Sequence, residues 1–411
     1  MNMEKNKKVI VLGGNVPHCT LIKELKKRGY YTILIDYLDN PPAKSIADIH
    51  IQESTLDQDK VLEIAKEYQP QYILDACIDR PIPVVGYVSE KLGLFCPFGY
   101  KESLIGTNKN LMKQMMIDHQ IPTSKFVNIT SLEQTDDIDL RYPLIIKPSD
   151  ASGSIGITKV DKPDDLKENV QLALKHSRSG EAIVEEFVSG MEIQVDCFIA
   201  NGKCEILVIK EKRKFRTDVL TLSYGSMIPA LISDEVAEKI QVACDQIANV
   251  LNLKNCPFFL QALVDEKNIS IIEFGLRIGG MLSYKMIEQI TGLNVISTAV
   301  DAYTEETPCI KTNPMKTIYT TNHIFPKKGV VTSVTGVDEL LEKKVIADYT
   351  QFMTLGSTSE GNLESKDRIG TFTIIADNLE DYQQKMRTAI NTLDVWDADG
   401  NSIMRKDIYK L

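Results

Sequence analysis

Apolar residues near the start of the chain come in short β-branched runs, each followed by a stretch with helical spacing. Lys7–Leu12 reads as a strand ending at Gly13-Gly14, Cys19–Arg28 as a helix closing on Gly29, and Tyr31–Asp36 as a second strand. Strand, glycine turn, helix and strand in that order form a βαβ unit and predict a parallel sheet. The alternation continues through a helix at Leu56–Tyr68, a strand at Tyr72–Ala76, a helix at Val84–Leu92 and a short strand at Leu94–Cys96. A further helix, Asn108–His119, runs to Ile121-Pro122, and the proline marks a boundary because it disfavours helix before it.

Beyond residue 125 the pattern shortens. Strands at Leu144–Lys147, Ile157–Val160 and Ala182–Phe187 flank one helix, Pro163–His176. Longer strands follow at Glu192–Ile199, Glu205–Lys210, Phe258–Val264 and Ile269–Phe274, with a helix at Ser233–Leu251 among them. After residue 310 the chain is again strand-rich (Thr317–Phe325, Val345–Phe352, Ile369–Ala376) before a helix at Leu379–Leu393 and a turn at Asp399-Gly400. No internal repeat is visible.

The totals narrow the class. The chain has 411 residues, which asks for more than one core. A net charge of −10 argues against a broad nucleic-acid-binding face, though a local basic pocket for phosphates is compatible with it. Val9–Leu12 is too short for a signal-peptide core, and no run approaches the length of a membrane span. The eight cysteines form no C-x-x-C pair and read as reduced and mostly buried. Together these features predict a soluble cytoplasmic protein with no nucleic-acid or membrane partner.

Three segments carry candidate chemistry. In Tyr142–Gly156 a strand delivers Lys147 ahead of a small-residue stretch in which Gly153 and Gly156 permit close backbone approach and Ser152 and Ser154 offer hydroxyls. It reads either as an ordinary turn or as a loop closing over phosphate oxygens, with Lys147 as the point charge. In Ala182–Val195 an apolar strand runs into Glu185-Glu186, crosses Ser189-Gly190 and resumes at Glu192. That segment is either a hairpin with exposed glutamates or a linker whose backbone, with Phe187 and Val188, receives a flat heterocycle. In Phe258–Gly280 two strands joined by a turn at Asp265–Asn268 place Gln261 near Glu273, either as a half-buried hairpin with one edge charge or as a set of oxygens suited to Mg²⁺. Arg277 follows four residues later as a planar fork for a phosphate or carboxylate.

The order of these segments resembles the ATP-grasp superfamily, nearest in texture to its biotin carboxylase, D-alanine–D-alanine ligase and amino-acid ligase branches. The resemblance covers essentially the whole chain. It implies a multidomain α/β and α+β fold: a Rossmann-like pre-ATP-grasp domain over 1–105, a small lobe with a glycine-rich flap over 106–190, a large lobe with the metal site over 191–310, and a β-rich C-terminal domain over 311–411. It also assigns roles. Lys109, in Gly106-Thr-Asn-Lys109, and Lys147 resemble the two phosphate-contacting lysines, and Ser152–Gly156 the flap. Glu185, Glu186, Phe187 and Val188 resemble the adenine linker, and Glu192 the ribose-binding glutamate. Glu273 resembles the bridging metal ligand, with Gln261 beside it, and Arg277 the arginine that stabilises the transferring charge. Lys210, ending its strand in the basic run Lys210–Arg216, is a further nucleotide contact, or else that run is a solvated face.

Two positions depart from the family pattern: Gln261 stands where an acidic ligand is usual, and Gly275 where an asparagine usually follows the second acid. The resemblance implies an ATP- and Mg²⁺-dependent ligase, with Mn²⁺ as a substitute metal, that joins a small-molecule carboxylate to an amine through an acyl phosphate. Its implied alternatives are a purine-pathway or carboxylase-like enzyme, or a non-catalytic ATP-binding paralogue. The acceptor site is expected near Gly13-Gly14, His18, Asp79-Arg80, Arg213, Arg277 and Ser283, and a homodimer is the default oligomer.

Overall fold

The computed structural model describes residues 7–150, 156–215, 223–280, 282–363 and 365–409. The chain divides into two compact units: Met1–Gly190, Gln194–Val208 and Ile232–Pro314 form the first, and Met191–Ile193, Ile209–Leu231 and Met315–Leu411 the second.

The first unit opens with β1 (Lys8–Leu12), α1 (Val16–Lys27), β2 (Tyr31–Asp36), β3 (Ile49–Gln52), α2 (Gln58–Tyr68), β4 (Tyr72–Leu74) and α3 (Ile82–Leu92). The four strands form a parallel sheet in the order β3-β2-β1-β4. Val9 to Leu12 are fully buried, as befits a parallel strand covered on both faces. The expected strand at Leu94–Cys96 does not form; the chain there is irregular and leads through α4 (Tyr100–Ile105) into α5 (Lys109–Asp118). Gly93, in left-handed conformation, ends α3 just before this apolar triplet, which pairs with no strand among the described residues.

Next come β5 (Phe126–Ile129), β6 (Leu144–Pro148), β7 (Thr158–Val160), α6 (Leu166–His176) and β8 (Ala182–Glu186). They form an antiparallel sheet, β5-β8-β6-β7, whose apolar face packs with Leu166, Val170 and Ala173 of α6. β9 (Met191–Ala200) and β10 (Lys203–Lys214) are long strands shared between the two units. β11 (Ser223–Ile228) belongs to the second unit. α7 (Asp234–Val250), the hairpin β12 (Cys256–Val264) and β13 (Ile269–Gly275), α8 (Ser283–Thr291) and α9 (Val295–Tyr303) complete the first. Arg28 at the end of α1 pairs with Asp301 (2.6 Å) and donates to the Ser297 carbonyl, fastening α9 to the N-terminal sheet.

The second unit continues with β14 (Ile318–Ile324), β15 (Gly329–Val330), β16 (Ser333–Thr335), α10 (Val337–Glu342), β17 (Asp348–Gln351), β18 (Thr358–Ser359), β19 (Gly370–Ala376), α11 (Leu379–Thr392) and β20 (Asp394–Trp396). β11, β14, β19 and β17 run antiparallel side by side, and α11 buries Tyr382, Met386, Ala389 and Ile390 in a core with Phe325 and Phe372. No helix among the described residues is long and apolar enough to cross a membrane.

Candidate active site

α5 delivers two cations. Asn108 caps the helix, its side-chain oxygen accepting from the N–H groups of Asn110 and Leu111, so Lys109 opens the first turn. Lys113 follows four residues later on the same face. The Lys109 N–H donates to the Ser149 carbonyl (3.2 Å), which holds the start of α5 against the end of β6 two residues beyond Lys147.

Lys147 and Lys113 converge on one carboxylate. Lys147 Nζ donates to Glu185 Oε1 at 2.5 Å, and Lys113 Nζ lies 2.7 Å from Glu185 Oε2. The β6–β8 register sets Ile145 opposite Glu185 and Lys147 opposite Ile183, so the lysine and the glutamate are neighbours across one pair of strands. Lys113 also donates to Thr123 Oγ1 and Ser124 Oγ, both at 2.8 Å, and Ser124 Oγ donates to Glu185 Oε2. All three charged groups are buried. Burial opposes the charge on Glu185, but the two lysines outweigh it and pull the carboxyl down to about 2. For Lys113 burial wins over the pull of Glu185, and with Lys147 pushing the same way the ammonium falls to about 8.

The sequence alone marks Lys147, Glu185 and Lys109 but misses Lys113. Its signal was the four-residue spacing from Lys109, which puts both on one helix face. Glu185 and Glu186 are buried, which removes the reading of this segment as a hairpin with exposed glutamates. Glu186 is held by Arg141 (2.8 Å), and Lys159 Nζ lies 5.1 Å from the centre of the Phe187 ring. The N–H groups of Glu186 and Phe187 donate to the carbonyls of Lys125 and Pro143, so these two amides are committed within the protein. Val188 is half-buried at the end of this segment.

On the β12–β13 hairpin, Gln261 and Glu273 sit directly opposite each other, with an irregularity in the ladder immediately after Gln261. Both are half-buried, and Lys109 Nζ lies 3.7 Å from Glu273 Oε2. The segment after α5 is tied to the same hairpin: the Ile271 N–H donates to Pro122, and Thr123 Oγ1 donates to Ile271. One carboxylate and one amide oxygen on adjacent strands form a hard-oxygen donor set that fits Mg²⁺.

Arg277 is buried and forms a fork–fork pair with Asp79, Nε to Oδ1 and Nη2 to Oδ2 both at 2.5 Å. Its Nη1 donates to the Ile278 carbonyl, and the guanidinium lies 4.2 Å from the centre of the Phe259 ring. Burial opposes this charge, but Asp79 outweighs it and raises the pKa. Nearby, His18 bridges Asn15 and Asp75, its Nε2 lying 2.9 Å from Asp75 Oδ1, with both side chains fully buried.

Of the flap, Ser152, Gly153 and Ser154 lie outside the described residues. Gly156 is described: its φ is +72°, and an added Cβ would meet Pro148 at 3.0 Å, so both backbone and space call for glycine. Glu192 and Lys210 belong to the second unit. Glu192 pairs there with Lys212 (2.9 Å) and Lys214 (2.7 Å); burial opposes its charge, but the two lysines lower its pKa. Lys210 and Arg213 are buried, the latter donating to Tyr224 and Asn322. The solvated-face reading of this run is therefore corrected through residue 214. It is the end of β10, and alternation turns Lys212 and Lys214 to Glu192 and Arg213 the other way.

A lysine pair braced by a buried carboxylate, beside an oxygen donor set, is a candidate site for phosphates and a divalent metal. Residues 140–285 match the family model of the ATP-grasp domain, and the chain carries that domain. It is 25% identical over 263 residues to a formate-dependent phosphoribosylglycinamide formyltransferase of Ignicoccus hospitalis, covering 60% of this chain and 63% of that one. It is 35% identical over 121 residues to D-alanine–D-alanine ligase B of Clostridium perfringens, covering 28% of this chain and 39% of that one. The chain thus spans less than two thirds of the length of either. The solved L-amino acid ligase from Bacillus licheniformis shares the fold, with a TM-score of 0.81 at 18% identity over 96% of this chain and 100% of that one. So does phosphoribosylglycinamide synthetase from Anaerococcus prevotii, with a TM-score of 0.75 at 18% identity and the same coverage. The fold is ATP-grasp, with a Rossmann-like domain in front and a β-rich domain behind.

Proposed function

We propose that the chain is an ATP- and Mg²⁺-dependent ligase that transfers the terminal phosphoryl group of ATP to a small-molecule carboxylate, which an amine then attacks to form an amide. The observation that carries this reading is the buried Lys147–Glu185–Lys113 network, with Lys109 and Glu273 alongside. The domain segments 1–105, 106–190, 191–310 and 311–411 are part of the same reading.

A carboxylate is a poor electrophile, because it is anionic and its leaving group would be oxide. Phosphorylation gives a mixed anhydride whose leaving group is phosphate. Enzymatic help for such transfers is mostly positioning and charge stabilisation. Lys147 and Lys109 supply positive charge for the nucleotide phosphates, and Glu185, braced by Lys113, holds the Lys147 ammonium in place. Glu273 and Gln261 would hold Mg²⁺, which neutralises phosphate charge when bound. Arg277, aimed by Asp79 and Phe259, meets the carboxylate or the charge developing on it. Glu185 to Val188 receive the adenine, Glu192 the ribose, Lys210 a further nucleotide oxygen, and residues 152–156 close over the phosphates. No covalent bond to the protein is required.

The experiment is ADP release by the purified chain with Mg-ATP against pooled amino acids and small carboxylic acids, with Lys147→Ala as control. Turnover that needs both an acid and an amine and vanishes in the variant supports the ligase. ATP binding without ADP release in any mixture supports instead the non-catalytic paralogue that Gln261 and Gly275 allow. A second reading, a purine-pathway ligase, is favoured by the Ignicoccus relative and the Anaerococcus structure. It predicts turnover only when a phosphoribosylated amine or a comparable ribonucleotide precursor is added.

A further inference from the structure

Within the first unit, away from the residues above, three cysteines meet in the interior. Cys197 lies on β9, Cys204 on β10 beyond the Asn201-Gly202 turn, and Cys244 on α7. Their sulfurs all lie within 4.8 Å of one another, and all three residues are buried. They are free, buried thiols where a hairpin meets a helix.

Charge decides what such a site holds. A divalent ion bound by three thiolates leaves a net charge of −1 in the interior. The Asp245 carboxylate already stands beside the cluster, accepting from the Cys204 N–H (2.8 Å) and the Gln241 amide (3.1 Å). A second uncompensated negative charge there is costly. A trivalent thiophilic centre leaves none.

We propose that Cys197, Cys204 and Cys244 form a three-thiol capture site for trivalent arsenite. The reaction is As(OH)₃ + 3 Cys–SH → As(S–Cys)₃ + 3 H₂O. Three As–O bonds break and three As–S bonds form, each thiol proton leaves with a hydroxide as water, and no oxidant or reductant is needed. Sulfur is the soft ligand such a centre prefers. Burial holds the Cys197 thiol well above its ordinary value, keeping its proton in place before loading. The neutral product fastens the β9–β10 hairpin to α7, and Asp245 keeps its two hydrogen bonds.

The test treats the intact wild-type chain with sodium arsenite. The expected result is one arsenic per chain, a mass gain of one arsenic less three hydrogens, three sulfur neighbours by X-ray absorption, and a raised melting temperature. Cys244→Ala loses the three-sulfur adduct, whereas Cys309→Ala, which changes an exposed cysteine, keeps it. If Cys244→Ala fails to fold, alkylation of the loaded wild-type chain opened in urea still decides: Cys197, Cys204 and Cys244 are protected while Cys77, Cys96 and Cys256 react. Arsenic held by two sulfurs or fewer, a three-sulfur adduct that survives Cys244→Ala, the opposite alkylation pattern, or Cd²⁺ displacing arsenite at equal concentration each overturns the proposal.

Discussion

Phe259 and Gly275 face each other across β12 and β13, and the Phe259 ring fills the space that a side chain at position 275 would occupy. The same ring lies under the Arg277 guanidinium. One aromatic residue therefore accounts for two features of the sequence: the glycine where the family pattern has an asparagine, and an arginine held flat over a π face. Restoring the family residue should not restore a metal ligand. Gly275→Asn forces the ring aside and should cost about 1–3 kcal/mol of stability, the usual range for overpacking a core. Urea unfolding checks this, and Phe259→Ala in the same chain should recover part of the loss. A Gly275→Asn chain as stable as the parent would show that the ring moves freely.

The Lys147–Glu185–Lys113 network predicts a large asymmetry between variants. Glu185→Gln leaves two ammonium groups buried without their carboxylate, and breaking a buried pair in this way costs about 3–5 kcal/mol. Lys113→Met removes the charge together with its burial penalty and should cost less stability. It should nevertheless weaken ATP binding, because Glu185 is then held from one side only. The check is denaturation paired with nucleotide titration. Equal stability losses in the two variants would count against the network.

The same network sets a pH dependence of the same sign at each end of the scale: stability rises with pH in both windows. Glu185 titrates at about 2 in the folded chain, below its ordinary value of 4.5, so its contribution is present above pH 4.5 and lost as pH falls toward 2. Lys113 titrates at about 8, below 10.5. Between those values the unfolded chain binds the extra proton, so stability attributable to Lys113 rises with pH from 8 toward 10.5. Thermal melts across pH should show the alkaline rise in the parent and its absence in Lys113→Met.

Much of this is legible in the sequence. The period-two and 3.6 patterns place the parallel sheet and the β12–β13 pair because each strand there has one dominant environment. The unreadable parts depend on contacts far apart in sequence. Lys113 looks like any helix lysine until Glu185, 72 positions on, is brought against it. In the sequence Asp79 stands only among the residues expected to line the acceptor site, since nothing local points to its partner Arg277, 198 positions away. Lys210–Lys214 resembled a solvated charge run because its counter-charge, Glu192, sits on another strand.

The Asp79–Arg277 fork predicts a split between binding and turnover. Asp79→Asn keeps the shape but removes the charge and one acceptor, freeing Arg277 to swing. Losing one charge-assisted partner is worth about 1.5–3 kcal/mol, so turnover should fall on the order of tenfold to a hundredfold. Nucleotide affinity should stay within about twofold, since Asp79 does not touch the lysine network. Steady-state turnover and ATP titration on one preparation separate the two. Loss of ATP binding in Asp79→Asn would mean the fork supports the nucleotide site itself.

The metal set gives the last prediction. Glu273 carries the only charge of the Gln261–Glu273 pair, and Lys109 stands 3.7 Å from it. Glu273→Gln leaves two neutral amides, which cannot compete with water for Mg²⁺, so the metal-dependent part of ATP binding should disappear. Gln261→Glu adds a second carboxylate directly opposite the first. Without metal the two anions repel and raise one pKa; with metal they share it. Half-maximal Mg²⁺ should therefore fall in Gln261→Glu, more strongly at pH 8 than at pH 6, where the raised carboxyl competes for a proton. A Mg²⁺ titration of ATP binding at both pH values reads this directly. An unchanged Mg²⁺ dependence in Glu273→Gln would place the metal elsewhere and remove the hairpin from the reaction.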